Sequence, residues 1–211
     1  MDKLAFVFSG QGAQYPGMGS ALYEHSSVFR AAMDRLEKLK PGLKKLCFGG
    51  SQEELSQTIN SQPSLFAVAL AAAEALRSAG IFPSALAGFS LGEVTALAHG
   101  RSFQGDDGFK FVCQRAEYMS AASQAKPGSM VVVLKLDAET VEAICRETGG
   151  VYPVNYNCPG QISVAGEVDQ LKVFSELATA KGGRVLPLKV SGAFHTPLMD
   201  PASEGISETL S

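Results

Sequence analysis

The stretch Gly88-Phe89-Ser90-Leu91-Gly92 constrains the fold more than any other part of the chain. It leaves a short strand candidate, Ala85-Leu86-Ala87, and enters a helix that runs to about His99. A chain that turns this sharply needs glycine beside the turning residue, so that the backbone can bend and neighbouring elements can approach. A serine placed there projects from a strand-to-helix turn, with the free N–H groups of the new helix behind it. Leu4-Ala5-Phe6-Val7-Phe8 repeats the theme: it reads as a buried strand that ends in the loop Ser9-Gly10-Gln11-Gly12.

Between these two strand candidates the pattern is helical. Ser26 or Ser27 can cap a helix through about Leu39, which Pro41-Gly42 stops. Ser51-Gln52-Glu53-Glu54 fits a capping box. Ser64 is expected to open a longer helix that ends near Gly80. Another helix spans about 109–125 and stops at Pro127-Gly128. The pattern then changes to strand, helix, two strands, helix, strand over about 129–190, the order of the split ferredoxin-like unit. The chain is therefore read as an α/β protein: a hydrolase-like domain with a parallel sheet, 1–128 and 191–211, holding a ferredoxin-like insert, 129–190.

Several residues could carry chemistry. Ser90 is the candidate nucleophile. Of the three histidines, His25 and His99 fall at helix ends, where capping or solvent contact explains them. His195 lies in the loop Ser191-Gly192-Ala193-Phe194-His195-Thr196-Pro197 and is either a general base for a serine or a structural histidine. Arg115 sits at the edge of an apolar helix face, between Val112 and Met119. Its guanidinium either snorkels to water or holds a carboxylate inside a cleft. Ser9-Gly10-Gln11-Gly12-Ala13-Gln14 lacks the lysine and the spacing of phosphate loops, and can instead supply an oxyanion N–H.

Composition excludes some classes of function. With 45 % apolar and 18 % charged residues the chain can bury a core and is not a disordered segment. A formal net charge of −3 gives no bulk attraction for nucleic acid. Lys38, Lys40, Lys44 and Lys45 form a weak cluster, read as a solvated helix end or as a docking patch for an acidic partner. The four cysteines show no C-x-x-C spacing and read as reduced thiols of a cytoplasmic protein; no metal site is expected. The start Met1-Asp2-Lys3-Leu4 is read as carrying no signal peptide, and the apolar stretch 65–73 is too short to span a membrane.

Taken in order, six stretches resemble the malonyl-CoA:acyl carrier protein transacylase family and the related acyltransferase domains of polyketide synthases. They are Phe8 to Gln14, Gly88 to Glu93, the helix of Arg115, Pro127-Gly128-Ser129-Met130, Asn155-Tyr156-Asn157-Cys158-Pro159-Gly160-Gln161, and Gly192-Ala193-Phe194-His195. The resemblance implies Ser90 as nucleophile and His195 as base, with the oxyanion hole formed by the N–H groups of Gln11 and Leu91. It implies that Arg115 pairs with the free carboxylate of malonyl, and it sets Asn157 and Phe194 beside the substrate. A phenylalanine before the histidine resembles the malonyl type of this segment, where methylmalonyl types carry a smaller serine. Phe89 departs from the family pattern, which most often has histidine there. Family members also continue beyond the point where this chain ends. The resemblance thus implies a C-terminally short member, without the part that supplies the carbonyls orienting the histidine.

The implied reaction is ping-pong transfer of malonyl from coenzyme A to the phosphopantetheine thiol of an acyl carrier protein, through an ester on Ser90. No bound cofactor is expected; the coenzyme A thioester is a substrate. Partners would be malonyl-CoA and an acyl carrier protein, with no nucleic acid and no membrane, in fatty acid or polyketide synthesis. Two rivals remain. A serine esterase or thioesterase shares the Ser90 turn but usually places an acid between the serine and the histidine. A non-catalytic remnant would bind the carrier protein or coenzyme A without reacting.

Overall fold

The computed structural model describes residues 3–210; the reading of Met1 and Asp2 lies outside them. Contacts gather the chain into two compact units, Met1–Glu117 and Tyr118–Ser211. The division falls inside the helix Asp107–Ala125.

The first unit contains β1 (Ala5–Phe8), α1 (Ser20–His25), α2 (Ser27–Leu39), α3 (Leu43–Gly49), α4 (Gln52–Ser56), α5 (Thr58–Ser78), β2 (Ala85–Gly88), α6 (Leu91–His99) and the start of α7 (Asp107–Ala125). β1 and β2 pair in parallel, Ala5 opposite Ala85 and Phe8 opposite Gly88. Parallel neighbours need a long crossover, and α1 to α5 provide it. One face of the pair is covered: Phe8, Ala73 and Ala96 are buried together, with Phe6, Ala69 and Leu86 against them. The alternate residues face away, so that Val7 is 77 % exposed. β1 is therefore not the fully buried strand its apolar run suggested. Side chains alternate between faces, and the helices packed on this pair lie over one face.

The larger core of this unit is helical. Phe29, Met33 and Leu36 of α2 meet Leu43 and Cys47 of α3, and Phe66 and Leu70 of α5, with Phe109 and Val112 of α7. Ser26 caps α2 by accepting from the Phe29 N–H, and Ser51 and Glu54 complete the capping box of α4. Helix α5 begins at Thr58 rather than Ser64, with Pro63 inside it. A proline there forfeits only the bond to the Ile59 carbonyl, close to the helix start. Burial of Thr58, Ser61 and Gln62 holds the turn ahead of it.

The link from β2 to α6 is the expected tight turn. Ser90 caps α6 at φ 53°, ψ −110°, a conformation an L-residue rarely adopts. A Cβ on Gly92 would run into the Phe8 carbonyl of β1, and one on Gly88 would strike the Gly92 backbone. A Cβ on Gly10 would lie 2.6 Å from the Phe89 oxygen. The turn, the loop after β1 and the start of α6 are thus in direct backbone contact.

The second unit holds the end of α7, then β3 (Gly128–Leu134), α8 (Ala138–Thr148), β4 (Val151–Cys158), β5 (Gln161–Glu167), α9 (Val168–Ala180) and β6 (Arg184–Pro187). A 3-10 turn at Pro197–Met199 leads into α10 (Asp200–Leu210). The sheet is antiparallel in the order β4-β5-β3-β6. Its element order is the one read from the sequence. Asp137 caps α8 by accepting from the Thr140 N–H at 2.8 Å. One face of the sheet buries Val133, Ile162 and Val164 under Val141 and Ile144 of α8 and Leu171 and Phe174 of α9. The other face takes Met130 and Ala165, packed with Met119 and Ala122 of α7 and with Ala193, Phe194, Leu198 and Met199. This second layer explains the division at Tyr118: the tail of α7 and the segment after β6 bury their apolar residues on the sheet.

Two substitutions test this packing by urea unfolding. Phe174→Ala removes a fully buried ring and should destabilise the protein by about 3–5 kcal/mol. Gly92→Ala forces α6 away from β1 and should cost about 1–3 kcal/mol, as overpacking does; an unchanged midpoint would refute the close approach.

Candidate active site

Ser90 stands at the tip of the turn, half-buried, with Leu91 as the first residue of α6. The Leu91 N–H has no carbonyl one turn back to bond, as at any helix start. Its side chain is buried in the helical core, which fixes where that N–H points. The next two amides close the turn, Gly92 N–H to the Phe89 carbonyl at 2.9 Å and Glu93 N–H to the Ser90 carbonyl at 3.0 Å.

The loop after β1 lies against this turn through Gly10 and Phe89. Two side chains hold its shape. Gln14 is buried and accepts from the Gly12 N–H at 2.8 Å. Gln11 donates through Nε2 to Thr58 Oγ1 at 3.2 Å, which ties the loop to the first turn of α5. The Gln11 backbone thus sits in a segment anchored on both sides.

Arg115 does not snorkel. It is partly buried on α7 and donates from Nη1 to Gln62 Oε1 at 2.6 Å. Gln62 itself is 0 % exposed. Burial pushes the Arg115 pKa down, and the nearby Glu93 partly offsets that push. A guanidinium stays charged under such a shift, so this unit carries a fixed, partly desolvated cation. Five donors radiate from a guanidinium, and its planar fork matches a carboxylate.

Gln62 and Thr58 were not singled out from the sequence. Placing the helix start at Ser64 left both outside any element. The usable signal was a glutamine directly before a proline in an otherwise apolar helix: a polar side chain there is buried only with a partner.

The second unit carries His195, Phe194 and Asn157. His195 is exposed and adopts φ 63°, while Ala193, Phe194 and Thr196 beside it are buried. Thr196 Oγ1 donates to the Ala193 carbonyl at 2.7 Å and accepts from the Leu198 N–H at 3.2 Å. Gly192 fits against the Ser123 hydroxyl with no room for a Cβ. The neighbours therefore hold the histidine in a left-handed conformation that costs free energy, and such strain concentrates at functional sites. The Phe194 ring is packed into the layer under the sheet. Asn157 is exposed near the end of β4 and donates to Ser163 Oγ at 3.2 Å.

Other candidates fall away. His99 is buried between the rings of Phe6 and Phe8, and burial, with Arg77 adding to it, pushes its pKa down against the pull of Glu74. It is a neutral core residue near neutral pH. All four cysteines are free. Burial pushes the Cys47 thiol up to about 11 and the Cys145 thiol up to about 12, so neither is a thiolate nucleophile near neutral pH. Among the described residues no three His, Cys, Asp or Glu side chains gather as metal ligands, and no helix is long and apolar enough to cross a membrane.

Known proteins resemble this chain along nearly its whole length. The family model for the acyl transferase domain matches residues 5–211. The malonyl CoA-acyl carrier protein transacylase of Bacillus subtilis is 40 % identical over 216 residues, which cover 100 % of this chain and 68 % of that protein. The crystal structure of the Streptococcus pneumoniae transacylase, at 40 % identity, superposes with a TM-score of 0.91 over 99 % of this chain and 70 % of its own. A malonyl-transacylase solved in complex with its type II polyketide synthase acyl-carrier protein gives a TM-score of 0.93 at 33 % identity, over 99 % and 70 % of the two chains. A match that runs from β1 through the Ser90 turn, the Arg115 helix and the His195 loop leaves one conclusion, that this chain belongs to the acyl transferase domain family.

Proposed function

We propose that the chain is an acyl-carrier-protein S-malonyltransferase, which moves malonyl from coenzyme A to the phosphopantetheine thiol of an acyl carrier protein through an ester on Ser90. The observation that carries this reading is Arg115, a partly buried cation held on Gln62 in the same unit as the Ser90 turn. An acyl group ending in a carboxylate is the ligand such a group selects. An esterase acting on neutral acyl groups has no use for it.

In the first half-reaction the Ser90 oxygen attacks the thioester carbonyl while His195 takes the hydroxyl proton. The carbonyl oxygen becomes an oxyanion facing the N–H groups of Gln11 and Leu91, where each donor is worth about 3–4 kcal/mol of barrier. Collapse breaks the C–S bond, and coenzyme A leaves with the proton returned by His195. Arg115 holds the malonyl carboxylate while the ester waits. In the second half-reaction His195 takes the proton of the carrier thiol, the thiolate attacks the ester, and Ser90 leaves as its hydroxyl. No redox step or bound cofactor enters; the coenzyme A thioester is consumed as substrate.

Asn157 and Phe194 serve binding from the second unit, Phe194 by fixing the backbone before His195. The sheet order β4-β5-β3-β6, with α8 and α9 on one face, supports a ferredoxin-like insert at 129–190 within a hydrolase-like domain of 1–128 and 191–211. Four unpaired cysteines support a cytoplasmic setting.

Intact-protein mass after brief mixing with malonyl-CoA tests the chemistry. A malonyl adduct is expected on the wild-type protein and none on Ser90→Ala; a folded wild type that stays unmodified would refute the transferase. Arg115→Ala tests the carboxylate. Truncating one partner of a buried charge pair costs about 2–5 kcal/mol, so kcat/KM for malonyl-CoA should fall about a hundredfold, and much further than for acetyl-CoA. Equal losses for the two substrates would remove Arg115 from that role.

A further inference from the structure

The first turn of α5 reaches two parts of the site at once. Thr58 Oγ1 accepts from the Gln11 side chain at 3.2 Å, and Gln62 Oε1 accepts from Arg115 Nη1 at 2.6 Å. Thr58 and Gln62 are 2 % and 0 % exposed, and they lie one helical turn apart on α5. Gln11 belongs to the loop that faces the thioester carbonyl, and Arg115 to the helix that meets the far end of the acyl group. We propose that residues 58–62, ahead of Pro63, form one rigid positioning turn that sets the separation between the oxyanion loop and Arg115, with Gln62 the residue that orients the guanidinium. This rests on the function proposed above.

The turn acts through geometry. Malonyl has its carboxylate one methylene from the thioester carbonyl. Both groups can be held only if the loop and the guanidinium sit at a matching distance. Two anchors on one buried helical turn give that distance little freedom. The anchors also differ in what they control. Gln62 bonds the group that reads the carboxylate, so its loss changes the choice of acyl group. Thr58 supports the loop that serves every thioester, so its loss slows all acyl groups alike. Both are positioning residues that act through Arg115 and Gln11.

This division gives the test. The substrates are malonyl-CoA and acetyl-CoA, and the readout is the ratio of their kcat/KM values for ester formation on Ser90. Gln62→Leu should lower the malonyl-to-acetyl ratio at least tenfold. Gln62→Glu should lower it as far, because its carboxylate occupies the guanidinium that malonyl needs. Thr58→Val should slow both substrates by a similar factor of about tenfold or more and leave the ratio in place. A folded Gln62→Leu protein with the wild-type ratio overturns the role of Gln62, and an unaffected Thr58→Val overturns that of Thr58. Gln62→Met, nearly isosteric, replaces the leucine variant if the latter does not fold.

A second readout does not depend on turnover. Nitrogen-15 NMR of the Arg115 side chain reports rotation of the guanidinium, which the Gln62 bond hinders. Rotation should be slow in the wild type and fast in Gln62→Leu; equal rates would overturn the orienting role. If the wild type forms no ester, the transferase reading fails, and the NMR result still decides whether Gln62 orients Arg115.

Discussion

The backbone contact between α6 and β1 is the constraint on which the first unit depends. Gly92 lies against the Phe8 carbonyl, and Gly88 lies against Gly92, with no space for a single additional carbon. That contact brings the end of β1, the Ser90 turn and the start of α6 within reach of one another. The glycine loop after β1 then has one place to go, against Phe89, and the amide of Gln11 goes with it. The oxyanion hole proposed for the N–H groups of Gln11 and Leu91 needs this arrangement, because backbone groups cannot swing into position as side chains do.

The second unit solves a different problem. Its sheet has two apolar faces, and two helices of its own cover only one. The tail of α7 and the segment after β6 cover the other. The loop bearing His195 is part of that covering layer. Ala193, Phe194 and Leu198 are buried around it, and Thr196 ties it to itself through its hydroxyl. A histidine exposed between buried neighbours is held by packing on either side, even though its own side chain contributes little to the core.

Much of this was legible in the sequence, and the exceptions have physical causes. The Ser90 turn was readable because glycines at fixed offsets have a steric reason that needs no tertiary information. The strand and helix order after Gly128 was readable because its side-chain periods are clean and Asp137 marks a helix start. The burial of β1 was misjudged because an apolar run does not say how many layers will cover it. The start of α5 was misplaced because Pro63 argues locally for a helix boundary, whereas burial of Thr58, Ser61 and Gln62 argues for a further turn, and burial prevailed. The same error hid Gln62, whose importance lies in a partner 53 residues away. Arg115 was open between solvent and cleft for that reason too: the choice depends on the buried acceptor opposite it.

Ser90 and His195 share a feature that bears on how this protein can be improved. Both hold positive φ angles, 53° and 63°, that glycine would adopt with less strain. At these two positions the sequence best suited to the backbone is therefore not the sequence best suited to the proposed chemistry. Selection for heat resistance alone would tend to replace the proposed nucleophile and base with residues that relax the chain. A screen meant to harden this scaffold has to score acyl transfer alongside melting temperature, or it will enrich well-folded proteins that have lost their reaction.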